Sequence, residues 1–220
     1  MGRGKHARQR KAQELFRKAG SRPPYSRLLI VCEGAKTEPN YFNEIRRINR
    51  VPSAHVQIVH GNVTEPRQIV DYAENAFSLS REFDVVYAVF DRDVHLTFSN
   101  ALIRANALDK TLINDEEKTI RFFAIPSVPC FELWLVLHYQ DFFSFFDRHE
   151  PIQRIRNHIP NYEKSMPNAY EVTRPNLAEA IQRASSLKRR FEPPTGTEPY
   201  TLVHELVAKL LDVGSKVKST

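Results

Sequence analysis

The feature that most constrains this fold is a regular alternation of short apolar segments with amphipathic ones between residues 27 and 125. Four apolar segments have the length and the β-branched or aromatic content of strands. Between them lie three segments whose apolar residues recur at the 3.6-residue period of a helix. The predicted strands cover residues 27–32, 55–60, 83–90 and 119–125, and the predicted helices cover residues 38–49, 64–80 and 98–108.

The order β-α-β-α-β-α-β predicts an α/β fold. Strands that alternate with helices form a parallel sheet with right-handed crossovers, and the helices cover both faces of that sheet. After residue 127 the apolar pattern becomes helical, with predicted helices at 130–139, 175–191 and 200–211 and a mixed, proline-interrupted stretch at 141–165. We therefore divide the chain into a flexible arm (1–24), an α/β core (25–126), a helical extension packed on the core (127–212) and a tail (213–220).

Composition excludes several classes of protein. Apolar residues make up 41% of the chain and charged residues 26%, which is typical of a globular protein rather than a disordered one. The longest apolar runs are far shorter than the roughly 20 residues of a membrane-spanning helix, and no signal peptide is evident. Cys32 and Cys130 lie within apolar runs, so we interpret them as buried thiols and expect a cytoplasmic protein.

The net charge of +6 is concentrated at the N-terminus. Residues 1–27 carry nine Lys and Arg side chains against one acid, Glu14, which gives +8 and leaves −2 for the rest of the chain. The positive charge thus belongs to the arm and does not mark the folded body as a nucleic-acid binder. Two interpretations stay open, because such an arm either contacts nucleic-acid phosphates in a salt-sensitive manner or is a solvated tail.

Acidic side chains follow two of the predicted strands. Glu33 comes directly after the first strand, and Asp91 and Asp93 follow the third. The carboxyl ends of parallel strands meet at one edge of a sheet, where ligands bind in open α/β folds. Alternate residues of an extended segment point the same way, so Asp91 and Asp93 are predicted to face one spot, with Arg92 directed elsewhere.

Three carboxylates at one point repel each other. Two unit charges about 4 Å apart cost about 1 kcal/mol in water and several times more in a protein. One acid is then protonated, or a cation lies between them, and all-oxygen ligation favours Mg²⁺ or Mn²⁺. The ordinary alternative is that each acid only forms a turn or caps a helix. The combination of Glu33 with the Asp91/Asp93 pair, in the right topological order, favours the metal site.

Three motifs extend these observations. They are Val31–Phe42 around Glu33, Val89–Asp93 followed by His95, and Ser127–His138. Together they resemble the RloB-like proteins, which accompany restriction and abortive-infection loci of bacteria and archaea, and the resemblance covers about residues 25 to 190. Two strands that end in Glu33-Gly34 and Asp91-x-Asp93 on a β/α unit are also similar to the TOPRIM fold of topoisomerases, primases and OLD-family nucleases. The expected fold class is therefore a TOPRIM-like parallel-sheet core with a C-terminal helical extension.

The resemblance implies roles for the acids. Glu33 matches the TOPRIM glutamate, which binds metal or acts as a general acid or base, and Asp91 and Asp93 match the metal-binding pair. Glu132 is the candidate to complete a two-metal site, although it could instead pair with an arginine, and Glu38 is a weaker candidate.

Five further residues receive functional or structural interpretations. Lys36 and Thr37, in the loop that precedes the first helix, are candidates for phosphate binding, as is Arg92. His95, close to the aspartate pair, is a candidate proton shuttle. His138 lies off the helical face of Glu132, so we interpret it as a core histidine.

The function that these inferences favour is a Mg²⁺- or Mn²⁺-dependent nuclease that cleaves DNA or RNA phosphodiesters in a prokaryotic anti-phage system. The resemblance also implies a possible AAA-type ATPase partner. One alternative is an effector whose site binds a nucleotide, metal or partner without turnover. Another is a nucleic-acid-binding adaptor in which the arm acts and the acids are vestigial.

Overall fold

The structure is a computed structural model that describes residues 26–61, 63–93, 95–143, 149–191 and 198–218. The basic arm predicted at 1–24 lies outside the described residues, so the two interpretations of it stay predictions. Among the described residues, no helix has both the length and the apolar character that crossing a membrane requires.

A five-stranded sheet of order β2-β1-β3-β4-β5 forms the centre of the molecule. The first four strands are parallel, and β5 runs antiparallel to β4 at one edge. This sheet with its helices confirms the α/β fold class. The central strands β1 and β3 are buried over their whole length, as expected for parallel strands that helices cover on both faces. The strands are β1 (Leu28–Cys32), β2 (Val56–His60), β3 (Val85–Asp91), β4 (Arg121–Val128) and β5 (Tyr200–Thr201).

Helices cover the two faces of the sheet and bury alternate residues of each strand. On one face, Leu29 and Val31 of β1 pack with the second and third helices. On the other face, Leu28 and Ile30 join one apolar cluster with the first helix and with the helices of the C-terminal half. The helices are α1 (Thr37–Ile48), α2 (Pro66–Ser80), α3 (Phe98–Leu108), α4 (Glu132–Val136), α5 (His149–His158), α6 (Ala169–Thr173), α7 (Leu177–Phe191) and α8 (Val203–Lys218).

The C-terminal half departs from the sequence-based prediction at its ends. Tyr200 and Thr201, predicted to begin a helix, form β5, because they pair with Val128 and Ser127 of β4. The helix begins only at Val203, whose N–H donates to Oγ1 of Thr201 at 3.2 Å. A strand of two residues has no periodicity, so the sequence pattern could not predict it.

Two helices differ in extent from the prediction, and two more were not predicted. α8 continues to Lys218, so the tail predicted to start at residue 213 is helical over most of its length. α4 covers only 132–136 of the predicted 130–139, and the following residues form tighter turns such as the bond from His138 N–H to Leu135 O. The residues on either side of α4 are also buried, although they are not helical. The apolar run therefore reflects burial of the whole segment and not the length of the helix. The short α5 and α6 lie in stretches without a predicted helix.

Candidate metal centre

The carboxyl ends of β1, β3 and β4 open into a cavity of about 600 Å³. These strands are neighbours in the sheet, so the loops that leave them lie side by side. We call this space the carboxylate cavity. It is lined by Glu33, Gly34, Ala35, Lys36, Thr37, Glu38, Thr64, Asp91, Asp93, His95, Phe131, Glu132 and Lys164.

A hydrogen bond joins the first two acidic motifs directly. The backbone N–H of Asp91 donates to Oε2 of Glu33 at 3.0 Å, although the two residues are 58 positions apart in the chain. The backbone N–H of Glu33 in turn donates to the carbonyl of Val89 at 3.1 Å. The end of β1 is therefore fixed against the end of β3, which brings the carboxylate of Glu33 to the predicted place.

The aspartate pair reaches the cavity by a turn and not by a straight strand. Asp91 is buried as the last residue of β3, and Asp93 follows with a left-handed φ of 39° while its N–H donates to Pro129 O at 2.9 Å. Aspartate is one of the few residues that tolerate this conformation. The extended backbone predicted for residues 91 to 93 is therefore wrong, although the side chains of both aspartates line the cavity as expected.

Within the described residues, three side chains have the spacing of a metal site. Ligand atoms of Glu33, Asp93 and His95 all lie within 4.8 Å of one another, and all three residues are half-buried. Asp91 is not in this group. His95, predicted as a proton shuttle, therefore lies where it could be a ligand, a role that the sequence pattern did not assign to it.

Two further glutamates line the same cavity from different elements. Glu38 lies buried in the first turn of α1, close to Gly34. A Cβ atom added at Gly34 would lie 2.8 Å from Oε2 of Glu38, so any side chain there would displace this carboxylate. Glu132, the first residue of α4, is 1% exposed.

Glu132 has partners that the sequence did not predict. Its Oε1 accepts a hydrogen bond from the hydroxyl of Tyr162 at 3.2 Å and lies 3.6 Å from Nζ of Lys164. Its Oε2 is buried and makes no hydrogen bond to the described residues. No described arginine pairs with Glu132, so the pairing considered from the sequence is not seen there.

Burial and mutual repulsion perturb the acids of the cavity. Burial first, and then the charges of Glu38 and Asp93, raise the pKa of Glu33 from 4.5 to about 7, against the hydrogen bond from Asp91, which lowers it. Burial also raises the pKa of Glu38 to about 7, with Glu132 adding to the rise. The pKa of Asp91 lies well above its ordinary value because of burial and then the charges of Glu38 and Glu33. These carboxylates are thus costly to ionise together without a cation.

The candidate phosphate-binding residues have different environments. Lys36 and Thr37 line the cavity, and the hydroxyl of Thr37 donates to the carbonyl of Lys164. Arg92 does not line it, because its guanidinium lies over the ring of Phe98 at 5.7 Å.

His138 lies in the core, as predicted. It is 1% exposed, and its Nδ1 donates to Trp134 O at 2.9 Å. Burial lowers its pKa to about 4, so it is neutral near neutral pH and is not a candidate for holding charge there.

Sequence reasoning assigned no role in the cavity to Lys164 and Thr64, nor to Tyr162, which contacts Glu132. Lys164 and Tyr162 lie in the mixed stretch that showed no period, so nothing in the pattern connected them with Glu132. Burial alone would lower the pKa of Lys164, but the neighbouring acids, Glu132 first, raise it above its ordinary value. Thr64, which directly precedes the N-cap residue Glu65 of α2, also lines the cavity.

The residues present suit a hard divalent cation. Five of the six side chains in the cavity that could bind a metal are carboxylates, the ligands that Mg²⁺ and Mn²⁺ prefer, and neither cysteine lines the cavity. The unpartnered Oε2 of Glu132 is a buried acceptor at the same place. One ion would be held by Glu33, Asp93 and His95. The carboxyl groups of three further acids line the same cavity, those of Asp91, Glu38 and Glu132.

Comparison with known proteins gives one match. The model of a family described as RloB-like protein matches residues 28–210, which is most of the chain and contains every residue of the carboxylate cavity. No curated protein and no solved structure matches the chain.

Proposed function

The chain belongs to the RloB-like protein family, and from that premise we propose that it is a metal-dependent nuclease that cleaves DNA or RNA phosphodiesters. The observation that carries the proposal is the convergence of five carboxylates from two strand ends and two helices on one cavity. We also propose that the protein acts in a prokaryotic anti-phage system. This part of the proposal rests on its resemblance to the RloB-like proteins, which accompany restriction and abortive-infection loci.

Charge balance supports Mg²⁺ or Mn²⁺ as the cofactor. Among the residues that line the cavity, five carboxylates face two lysines, Lys36 and Lys164. Each close pair of like charges costs about 1 kcal/mol in water and more where solvent is excluded. A divalent cation would remove this repulsion and would attract the anionic phosphodiester that the free carboxylates repel.

The chain's own groups then have distinct tasks. When bound, the ion supplies charge neutralisation at the scissile phosphate. Oε2 of Glu33 is occupied by the Asp91 N–H, so we assign its Oε1 to metal binding or to accepting a proton, which its raised pKa suits near neutral pH. Lys164, half-exposed at the wall of the cavity, is placed to contact a substrate phosphate.

A cleavage assay tests the proposal. The purified chain is incubated with plasmid, single-stranded DNA and tRNA in Mn²⁺, in Mg²⁺ and in EDTA, and we expect cleavage only with a divalent ion. Glu33→Gln and Asp91→Asn should each lower the rate by about a hundredfold or more, because each removes a ligand or base. Glu179→Gln on the exposed surface of α7 removes the same charge away from the cavity and should leave the rate unchanged.

Circular dichroism must show that all three variants remain folded. Undiminished cleavage by both site variants would refute the nuclease assignment. Metal binding without cleavage of any substrate, also after addition of an AAA-type ATPase from a neighbouring gene, would support the non-catalytic effector. Retention of nucleic acid that depends on salt but not on metal would support the adaptor.

A further inference from the structure

A second concave surface lies along the outer side of α1. It has a volume of about 580 Å³, close to that of the carboxylate cavity, and six of its eight lining residues have polar or charged side chains. We call it the α1 groove. It is lined by Asn40, Asn43, Glu44, Arg46, Arg47, Val51, Ser53 and Pro167.

Two elements connect the α1 groove with the carboxylate cavity. The first turn of α1 lines the cavity through Thr37 and Glu38, and the following two turns, from Asn40 to Arg47, line the groove. The segment after α5 also lines both, because Lys164 lies in the cavity and Pro167 in the groove. This segment is fixed to α1 by Thr37, which donates to Lys164 O, and by Asn40, which donates to Ser165 O at 3.3 Å.

The groove is rich in hydrogen-bond donors and carries positive charge. Arg47 is exposed over 69% of its side chain, and its ion pair with the buried Glu44 is long, at 3.6 Å. One nitrogen of Arg46 donates to Val56 O at 3.2 Å, which orients its guanidinium. The carboxylate of Glu44 also accepts from the N–H of Tyr170 at 2.8 Å, so it is engaged on the inner side. Two guanidiniums against one engaged carboxylate leave a positive surface with flanking amides.

We propose that the α1 groove binds the phosphodiester backbone of a polynucleotide whose scissile phosphate lies in the carboxylate cavity. The inference rests on the proposed function for the identity of the substrate. Arginine and asparagine side chains on one helix face are typical contacts to phosphate oxygens, which position a strand without reading its sequence. From Glu38 to Arg47 the helix rises about 14 Å, which corresponds to about four nucleotides at about 3.4 Å per step.

The test measures binding separately from cleavage. Affinity of the full chain for a fluorescent oligonucleotide, single-stranded or duplex, is measured in EDTA over a series of salt concentrations. Asn43→Ala/Arg47→Ala should weaken binding about fivefold or more. It should also make the slope of log K against log salt less negative by about 0.7 for a single strand or about 0.9 for a duplex, the value for one lost phosphate contact.

Gln182→Ala/Arg189→Ala is the matched control, since it removes an amide and an exposed guanidinium from α7, outside the groove. It should retain wild-type affinity and slope. Ser53→Glu, at an exposed position of the groove wall, adds a negative charge without removing any contact in the fold and should also weaken binding.

Several results would overturn the groove assignment. They are wild-type binding by Asn43→Ala/Arg47→Ala, equal losses in this variant and the control, or absence of binding by the wild-type chain. Because no divalent ion is present, these outcomes do not depend on the nuclease activity. If the chain does cleave, the groove variant should raise KM and leave kcat near that of the wild type, whereas Glu33→Gln should lower kcat.

Discussion

At the scale of residues, the candidate metal site depends on the hydrogen bond that joins Glu33 and Asp91. The backbone N–H of Asp91 donates to the carboxylate of Glu33, so a main-chain group and not a cation holds these two motifs together. Glu132 accepts from Tyr162 and lies near Lys164, whereas its Oε2 makes no hydrogen bond to the described residues. The fold itself therefore brings these acids together at the ends of β1 and β3.

A pH dependence follows for the metal-free protein. The folded-state pKa of Glu38 is raised to about 7, mainly by burial, so between its ordinary value of 4.5 and about 7 the folded chain holds a proton that the unfolded chain has lost. The free energy of unfolding then falls as the pH rises through this window. In EDTA, the Tm of Glu38→Gln relative to the wild type should therefore increase between about pH 5 and about pH 8.

The difference in Tm between Glu38→Gln and the wild type is the quantity to compare, because buried histidines change the stability of both proteins with pH in the opposite direction. Burial lowers the pKa of His138 and His204, which favours the folded state as the pH rises. Both chains contain these histidines, so their contribution cancels. Saturating Mn²⁺ should reverse the order of the two Tm values at the higher pH, since only the wild type retains the full set of acids. An unchanged difference across the pH range would show that Glu38 is not held protonated by the fold.

At the scale of elements, the sequence predicted those whose periodicity spans several turns or a full strand. β1, β3, α1 and α2 lie within one or two residues of their predicted bounds, because their apolar residues repeat with the period that burial imposes. β5 and α6 are too short for any period to be visible. The extent of α8 was also missed, although the buried Val213 continues the apolar face formed by Leu206, Val207 and Leu210.

Val213 tests this extension of α8. Its side chain is 3% exposed, and a Cβ atom added at the next residue, Gly214, would lie 3.1 Å from Asn49 O, so the neighbouring backbone would have to shift slightly. Val213→Ala should lower the free energy of unfolding by about 2 kcal/mol, measured by urea denaturation. Leu79→Ala, at a side chain that is 90% exposed, should change it by less than about 0.5 kcal/mol. Equal effects of the two substitutions would place residue 213 outside the core.

At the scale of the whole molecule, the sheet converts distant sequence positions into one site. The parallel order of β1, β3 and β4 was predictable from the alternation of elements, and with it the meeting of Glu33 and Asp91. The contribution of Lys164 was not predictable, because it depends on how the C-terminal half folds back onto α1. That packing is a long-range property which no local pattern encodes.

Whether Glu33 and Asp93 share one divalent cation can be measured by anomalous diffraction from crystals of the full chain grown with Mn²⁺. We expect a manganese peak in the carboxylate cavity, about 2.1 Å from carboxylate oxygens of Glu33 and Asp93. In crystals of Glu33→Gln the peak should weaken or disappear. A fully soaked wild-type crystal with no peak between Glu33 and Asp93, or with manganese bound only elsewhere, would contradict the claim that these acids share a divalent cation.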